Sequence, residues 1–205
     1  DLSRLSEMKR VAREIAAAES RIDILMNNAG AMFDRRRITE DGLELTFALN
    51  HMSYFVVTEI LRERLIATPR ARIINTSSEA HRRARVDYND LQMASGFGMF
   101  KAYCLSKLYN LLFTRELARR LRGTGITANA FHPGFVASRF GDENRGVASG
   151  FFRLLKRFAL TPEEGSKTLV YLASSDLVAN ASGEYFAKCA PSTPTKNAQD
   201  DAAAK

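Results

Sequence analysis

Two kinds of hydrophobic pattern alternate along this chain, and their alternation constrains the fold more than any other feature. Residues 23–27 contain a short, continuous apolar run, as found in strands that are buried on both faces of a parallel sheet, and residues 72–76 and 126–131 are predicted to be two further strands. Longer segments with helical spacing lie between them, beginning with residues 6–18, where apolar side chains recur every three or four positions. Strands that alternate with helices in this way predict an α/β fold.

Helix and strand signals place the other elements. One helix is predicted from about residue 40 to residue 66 and another from residue 100 to residue 121. A further helix begins at Thr161, because a threonine cap, a proline at the first helical position and acidic residues in the first turn favour a helix start. The remaining predictions are an irregular stretch over 79–97, a loop with a short helix over 139–160, a strand over 183–186 and a mobile polar tail over 191–205.

Polar or glycine-bearing residues follow three of the predicted strands. The sequence Asn-Ala-Gly occupies residues 28–30, two serines stand at 77–78, and Pro-Gly stands at 133–134. In an open parallel sheet, ligands bind outside the carboxyl ends of the strands. The chemistry of the protein is therefore expected at this edge of the sheet.

A tyrosine and a lysine on one predicted helix are the first candidates for catalysis. Tyr103 and Lys107 are four positions apart, so they share one face of the helix. A phenol has a pKa near ~10, and a nearby ammonium group lowers that pKa toward neutrality. Ser78 ends a strand, where its hydroxyl can hydrogen-bond a carbonyl oxygen, and Asn50 stands inside a helix that does not favour an amide. Taken alone, the tyrosine–lysine spacing also fits a pair of surface residues.

Five motifs in order give a more specific indication. They are Asn-Asn-Ala-Gly at 27–30, Phe-Ala-Leu-Asn-His at 47–51, Ile-Asn-Thr-Ser-Ser at 74–78, Tyr-Cys-Leu-Ser-Lys at 103–107 and His-Pro-Gly at 132–134. In this order the chain resembles the short-chain dehydrogenases/reductases, from its first residue to about Phe186, and within them the retinol-dehydrogenase-like branch. The resemblance implies a Rossmann-like doubly wound parallel sheet and an NAD(P)-dependent oxidoreductase that interconverts a lipophilic alcohol and its aldehyde or ketone.

The resemblance also implies roles for four catalytic residues. Tyr103 would be the general acid in carbonyl reduction and the general base in alcohol oxidation. Lys107 would lower the pKa of Tyr103 and bind the nicotinamide ribose. Ser78, rather than Ser77, would orient the substrate oxygen, and Asn50 would hold a water that links Lys107 to solvent.

The same resemblance assigns residues to the cofactor, which would be NADP or NAD with a preference for NADP from the branch and the positive charge. Tyr103 and Lys107 would contact it together with residues from four other parts of the chain. These residues are Asp1, Asn28, Ala29, Gly30, Pro133, Gly134, Val136 and Ser138.

The glycine-rich turn that opens such a fold and holds the pyrophosphate is not found in this sequence. We therefore expect a fragment that lacks the first three strands and their helices, on the order of 60 residues, and that also stops early at its other end. Residues 1–190 would form one partial domain. Loss of the preceding strands would expose an apolar sheet edge beside residues 24–26, so we expect the isolated chain to aggregate and to be nearly inactive.

Charge and composition exclude several other classes. The net charge of +7 comes from arginine clusters in three separate segments, which does not predict nucleic-acid binding. Two cysteines provide neither a disulfide framework nor a metal site, so a cytoplasmic location without a metal is expected. No apolar run is long enough for a transmembrane helix.

The sequence leaves open the roles of several residues, the nature of one apolar segment and the alternative functions of the protein. His51, His81, His132 and Cys104 are interpreted as packing or hydrogen-bonding residues. The apolar stretch over 151–158 is either ordinary core or a lid over a lipophilic substrate. A catalytically inactive binding or scaffold protein on the same fold is the alternative function, and a homo-oligomer is possible.

Overall fold

A mostly parallel sheet forms the centre of the protein. The structure is a computed structural model, and it describes residues 1–136 and 159–205. Within the described part of the chain the sheet has five strands in the order β1-β2-β3-β4-β5. The first four run parallel, and β5 pairs antiparallel with β4. The strands are β1 Ile24–Asn27, β2 Arg72–Thr76, β3 Thr127–His132, β4 Tyr185–Ala187 and β5 Ala190–Pro191.

Helices cover both faces of this sheet, as the α/β prediction requires. The main helices are α1 Leu5–Ala18, α2 Leu45–Phe47, α3 Ser53–Ala67, α4 Met99–Arg120, α5 Pro162–Ser174 and α6 Asp201–Ala204. Neighbouring side chains of β2 point to opposite faces. Ile73 packs among residues of α1, α3 and α4, while Ile74 packs with Leu172 of α5. The doubly wound α/β architecture expected from the sequence is therefore confirmed.

The helix predicted from residue 40 begins later and is not uniform. Residues 38–44 form a turn in which Gly42 has a positive φ of 77° and Ile38 bridges to Glu44. The buried Glu44 carboxylate then caps α2 by accepting the N–H groups of Thr46 and Phe47. A π-helical turn, Ala48–Met52, separates α2 from α3. Such turns are rare and occur often at functional sites.

The segment from residue 191 was expected to be mobile and instead packs onto α4. It forms a 3-10 turn, Lys196–Gln199, capped by Thr195, and then α6, capped by Asp200. Ala198 is fully buried in the core beside α4. The sequence of this segment predicts a polar tail because its residues are small or polar. The helix that it packs against, α4, is far away in the sequence, so no local pattern reveals the contact.

A buried ladder of polar side chains crosses the sheet beneath α4. The Asn27 amide donates to Asn75 Oδ1 over 2.8 Å and to Thr58 Oγ1 over 3.0 Å. The Asn75 amide donates in turn to Thr114 Oγ1 over 2.9 Å. Each of these side chains is buried and hydrogen-bonded, which is the condition under which polar groups are tolerated in a core.

Strand β1 lies at the edge of the described sheet and is apolar there. Ile24 and Met26 are 39% and 44% exposed, which agrees with the exposed edge expected from the sequence. Aggregation through this edge remains a prediction. Among the helices of the described residues, we find none with the length and apolarity that crossing a bilayer requires. The predicted loop over 139–160 and the apolar stretch over 151–158 fall almost wholly outside the described residues.

Candidate active site

The residues singled out for catalysis meet where β2 ends and α4 passes beside it. Ser78 follows β2 directly, and Tyr103 and Lys107 lie one helical turn apart on α4. Asn28, Ala29 and Gly30 follow β1 and are exposed next to them. Because parallel strands end at the same edge of a sheet, three sequence-distant segments reach one location.

The Ser78 side chain lies close enough to the Tyr103 phenol to lower the pKa of that phenol. The Ser78 hydroxyl also accepts the N–H of Ala80 and so caps the turn that follows. Ser77, the alternative candidate, is buried and donates its hydroxyl to the Lys107 carbonyl oxygen over 2.8 Å. Its hydroxyl is thus used structurally, while the Ser78 hydroxyl faces the tyrosine.

Lys107 places an amine inside the protein. Its Nζ donates to the Thr76 carbonyl oxygen over 3.1 Å and lies 5.7 Å from the ring centroids of both Tyr54 and Tyr103. Only 3% of the residue is exposed, and this burial lowers its pKa to about 7. A buried amine that titrates near neutrality is a common mark of a functional site.

Lowering of the Tyr103 pKa by Lys107 stays a prediction, while burial acts on the same pKa in the opposite direction. Burial raises the pKa of Tyr103, and the nearby Ser78 side chain opposes that rise. Desolvation penalises the charged form of each group, so burial favours a neutral phenol and a neutral amine together. Tyr103 is therefore protonated at neutral pH in this structure and ready to act as an acid.

Asn50 links two parts of the candidate site through its side-chain amide. It lies in the π-helical turn, fully buried, and its amide exchanges two hydrogen bonds of 2.9 Å with the main chain of Ala31. The same amide donates to Ser106 Oγ over 3.1 Å. Asn50 thereby ties the loop after β1 to α4, and its proposed water-holding role remains a prediction.

Gly30 lies directly above Asn50 and Lys107. A Cβ atom at this position would be 3.2 Å from Asn50 Oδ1 and 3.6 Å from Lys107 Nζ. The absence of a side chain thus leaves an open cradle over the amine, where a ligand can approach the backbone closely. Residues 28–30 and Lys107 fit a nucleotide ribose in this respect.

Asn110 was missed by the sequence analysis. Its fully buried amide donates to the Asn50 carbonyl oxygen over 2.9 Å and to the Thr76 carbonyl oxygen over 3.2 Å. The amide oxygen faces His51 Nδ1 at 3.0 Å. Apolar surroundings lower the pKa of His51 to about 4, so its neutral ring donates to Asn110. The one available signal was the position of Asn110, three residues after Lys107 on the same helix face.

Three further predicted cofactor residues, Pro133, Gly134 and Val136, follow β3. Gly134 has a φ of 88°, a backbone conformation that favours glycine, and a Cβ there would be 2.6 Å from Leu160 Cδ1, so the exposed end of that leucine would have to move. Gly134 follows Pro133 at the end of β3, and its N–H donates to His132 Nδ1 over 3.0 Å, as the packing interpretation of His132 anticipated. Val136 forms a bridge with Leu160.

The structure does not place the last two predicted cofactor residues, Asp1 and Ser138, beside the candidate site. The Asp1 carboxylate makes local hydrogen bonds to Ser3. Ser138 falls outside the described residues. Cys104 is buried in the core, as expected, and no group of three or more metal-ligating side chains occurs within residues 1–136 and 159–205.

Comparisons with known proteins identify the family. The family model for short chain dehydrogenase matches residues 1–146. Retinol dehydrogenase 13 of Homo sapiens is 37% identical over 212 residues, which cover 100% of this chain and 64% of that protein. Retinol dehydrogenase 12 of Homo sapiens is 39% identical over 189 residues, which cover 92% of this chain and 60% of that protein. The chain thus spans less than two thirds of the length of these relatives.

Solved structures show the same fold. An uncharacterized protein from Mycobacterium Paratuberculosis superposes with a TM-score of 0.76 at 30% identity, over 100% of this chain and 69% of that one. A short-chain dehydrogenase/reductase variant from Serratia marcescens superposes with a TM-score of 0.65 at 23% identity, over 90% of this chain and 71% of that one.

Proposed function

The chain belongs to the short-chain dehydrogenase family, in its retinol-dehydrogenase-like branch, and from this premise we propose that it carries the catalytic residues of an alcohol–carbonyl oxidoreductase. One observation supports the proposal most directly. Ser78, Tyr103 and Lys107 converge at the carboxyl end of β2, beside the exposed loop of residues 28–30. A structural core alone does not require a buried amine at such a place.

Tyr103 is the proposed proton donor. Its hydroxyl is protonated at neutral pH because burial raises its pKa. In carbonyl reduction the phenol gives its proton to the substrate oxygen, and in alcohol oxidation it takes that proton back. Ser78, whose side chain lies beside the phenol, orients the same oxygen.

Lys107 is proposed to bind the ribose of a nicotinamide dinucleotide and to hold positive charge near the phenol. When bound, this cofactor supplies or accepts the hydride. With a pKa of about 7, the amine can take up a proton near neutral pH, which would favour the phenolate during alcohol oxidation. Residues 28–30 and 133–134 would line the cofactor on either side, and both NADP and NAD are compatible with them.

A lipophilic alcohol or aldehyde is the proposed substrate class. The support comes from two relatives that are named retinol dehydrogenases, and from the apolar sequence of residues 151–158. The proposal is tested by following NADPH and NADH oxidation with aldehydes of increasing chain length, in a protein that contains this chain. Rates should rise with chain length. A folded protein that turns over none of them with either cofactor would overturn the proposal in favour of a binding or scaffold role.

Gly30→Ala should weaken cofactor binding. The added methyl group would crowd Asn50 Oδ1 at 3.2 Å and occupy the space above Lys107. We expect the dissociation constant for NADP(H) to rise about 10-fold, equal to about 1.4 kcal/mol, as measured by cofactor fluorescence titration. Gly98→Ala is the matched control, since a Cβ there meets only Lys101 Cβ at an ordinary 3.7 Å. Equal affinities in the two variants would contradict the assignment of Gly30.

A further inference from the structure

His81 lies in the turn that follows Ser78, and its side chain is fully buried. This turn is the 3-10 segment Glu79–Arg83, which begins directly after Ser78. The imidazole Nδ1 is 2.6 Å from the Ser78 carbonyl oxygen, and the main-chain N–H of His81 donates to the same oxygen over 3.1 Å. Two groups of one residue therefore hold the main chain of Ser78.

The neighbours of the His81 ring determine which nitrogen carries its proton. A carbonyl oxygen only accepts hydrogen bonds, so Nδ1 must be the donor to Ser78. Nε2 then accepts the N–H of Thr195 over 3.4 Å. A neutral ring with hydrogen on Nδ1 satisfies both partners, and burial favours it by lowering the pKa of His81.

The segment that contacts Nε2 makes two further hydrogen bonds to the same turn. Arg82 Nη2 donates to the Thr193 carbonyl oxygen over 2.9 Å, and the Asn197 amide donates to the Ala84 carbonyl oxygen over 3.1 Å. We call residues 193–197 the C-terminal brace. It joins the end of the described chain to the turn after Ser78, more than 100 residues earlier.

Strand β4 supports this arrangement from another side. The ring of Tyr185 packs edge-on against the His81 ring, with centroids 5.3 Å apart. The Tyr185 hydroxyl donates to Glu79 Oε1 over 2.9 Å. The turn is therefore held at the side chains of Glu79 and His81 as well as along its main chain.

We infer that His81 is a positioning residue that, supported by the C-terminal brace, fixes the Ser78 hydroxyl against Tyr103. The inference rests on the proposed function, in which Ser78 orients the substrate oxygen. His81 acts only through Ser78, because its ring nitrogens are occupied by Ser78 and Thr195.

The test is the pKa of Tyr103, which the nearby Ser78 side chain lowers. Tyrosines are replaced by 3-fluorotyrosine, which brings the titration of a phenol into a milder pH range, and followed by fluorine NMR. The Tyr103 signal is assigned by its absence in Tyr103→Phe. His81→Phe keeps the ring volume but loses both hydrogen bonds, so the Tyr103 pKa should rise by about 0.5 to 1, the equivalent of one hydrogen bond.

Conservative variants separate positioning from general destabilisation. His81→Asn places an amide near the position of Nδ1, so it should restore the contact with Ser78 and return the Tyr103 pKa toward that of the unaltered chain. Asn129→Ala is the matched control. It also removes two buried side-chain hydrogen bonds, to Ala181 and Glu184, away from Ser78. It should lower stability without moving the Tyr103 pKa.

The brace is tested by a second pair of variants. Thr195 has a φ of −65°, so proline fits there and removes only the N–H and the side-chain cap. Thr195→Ala removes the cap and keeps the N–H. Thr195→Pro should raise the Tyr103 pKa and Thr195→Ala should not.

Two outcomes would overturn the inference: an unchanged Tyr103 pKa in His81→Phe, or an equal rise in Asn129→Ala. The fluorine measurement needs no turnover. If the unaltered protein lacks oxidoreductase activity, the proposed function fails, while the contact between His81 and Ser78 is still judged by the Tyr103 pKa.

Discussion

Tyr103→Phe should lower kcat by about 10²–10⁴-fold, the range associated with the loss of a general acid–base group. The substitution removes one oxygen and leaves the ring, so α4 and its packing should be preserved. The phenol lies beside Ser78 and stays protonated at neutral pH, so the substitution removes the proposed proton donor. The measurement is kcat for aldehyde reduction in a protein that contains this chain, with substrate and cofactor at saturation.

Tyr109→Phe is the matched control for this prediction. Tyr109 lies on the same helix, and its hydroxyl donates to the Leu91 carbonyl oxygen over 2.9 Å. Its loss should lower the free energy of unfolding by about 1 kcal/mol with kcat nearly unchanged. If Tyr103→Phe kept kcat within about twofold, Tyr103 would not be the proton donor.

Lys107→Met should abolish most activity and at the same time stabilise the fold at neutral pH. Methionine matches the length of the lysine side chain without its charge. The Thr76 carbonyl oxygen keeps a donor in the variant, because the Asn110 amide also reaches it, at 3.2 Å. We expect kcat to fall about 10²–10³-fold, since the variant has no amine beside the ribose site or the phenol.

The stability gain follows from the pKa of Lys107, which burial lowers from 10.5 to about 7. Between these values the unfolded chain binds the proton and the folded chain does not, so stability rises with pH across this window. Below pH ~7 both states are protonated, and the cost of burying the ammonium group is on the order of 4 kcal/mol. The variant should therefore be more stable at pH 7 and lose the rise in stability above it.

Urea unfolding between pH 6.5 and 10 measures this effect. Lys101→Met serves as the control, because Lys101 is exposed on the same helix. That variant should show the same dependence on pH as the unaltered protein. A Lys107→Met protein that is less stable at pH 7 would show that the ammonium group is well compensated in its site.

The strands could be predicted from sequence because their burial leaves a local pattern. Residues 72–76 carry two adjacent isoleucines, and the structure places Ile73 and Ile74 in separate cores on opposite sides of the sheet. The start of α2 could not be placed in the same way. It depends on the turn at Gly42 and on Gln92, which accepts the N–H of Glu44 from 48 residues away.

In the candidate site, too, some residues carry a local sequence pattern and others depend on distant parts of the chain. Tyr103 and Lys107 carry a spacing that sequence can reveal, whereas Asn110 and His81 look like ordinary helix and turn residues. Their importance lies in partners remote along the chain, since Asn110 contacts Asn50 over 60 residues and His81 contacts Thr195 over 114. The C-terminal segment was judged mobile for this reason. Composition describes it as polar, and only the folded chain shows Ala198 inside the core.

The ladder from Asn27 through Asn75 to Thr114 also governs how the strands align. Asn27 and Asn75 are direct partners in the pairing of β1 with β2. A slip of one residue in β1 would turn the Asn27 amide to the opposite face of the sheet and leave the Asn75 amide without its partner. Each buried polar group that is left without a hydrogen bond would cost about 1–3 kcal/mol, so misaligned sheets are disfavoured by several kcal/mol. Polar groups that add little to the affinity between the strands thus select a single alignment as the chain folds.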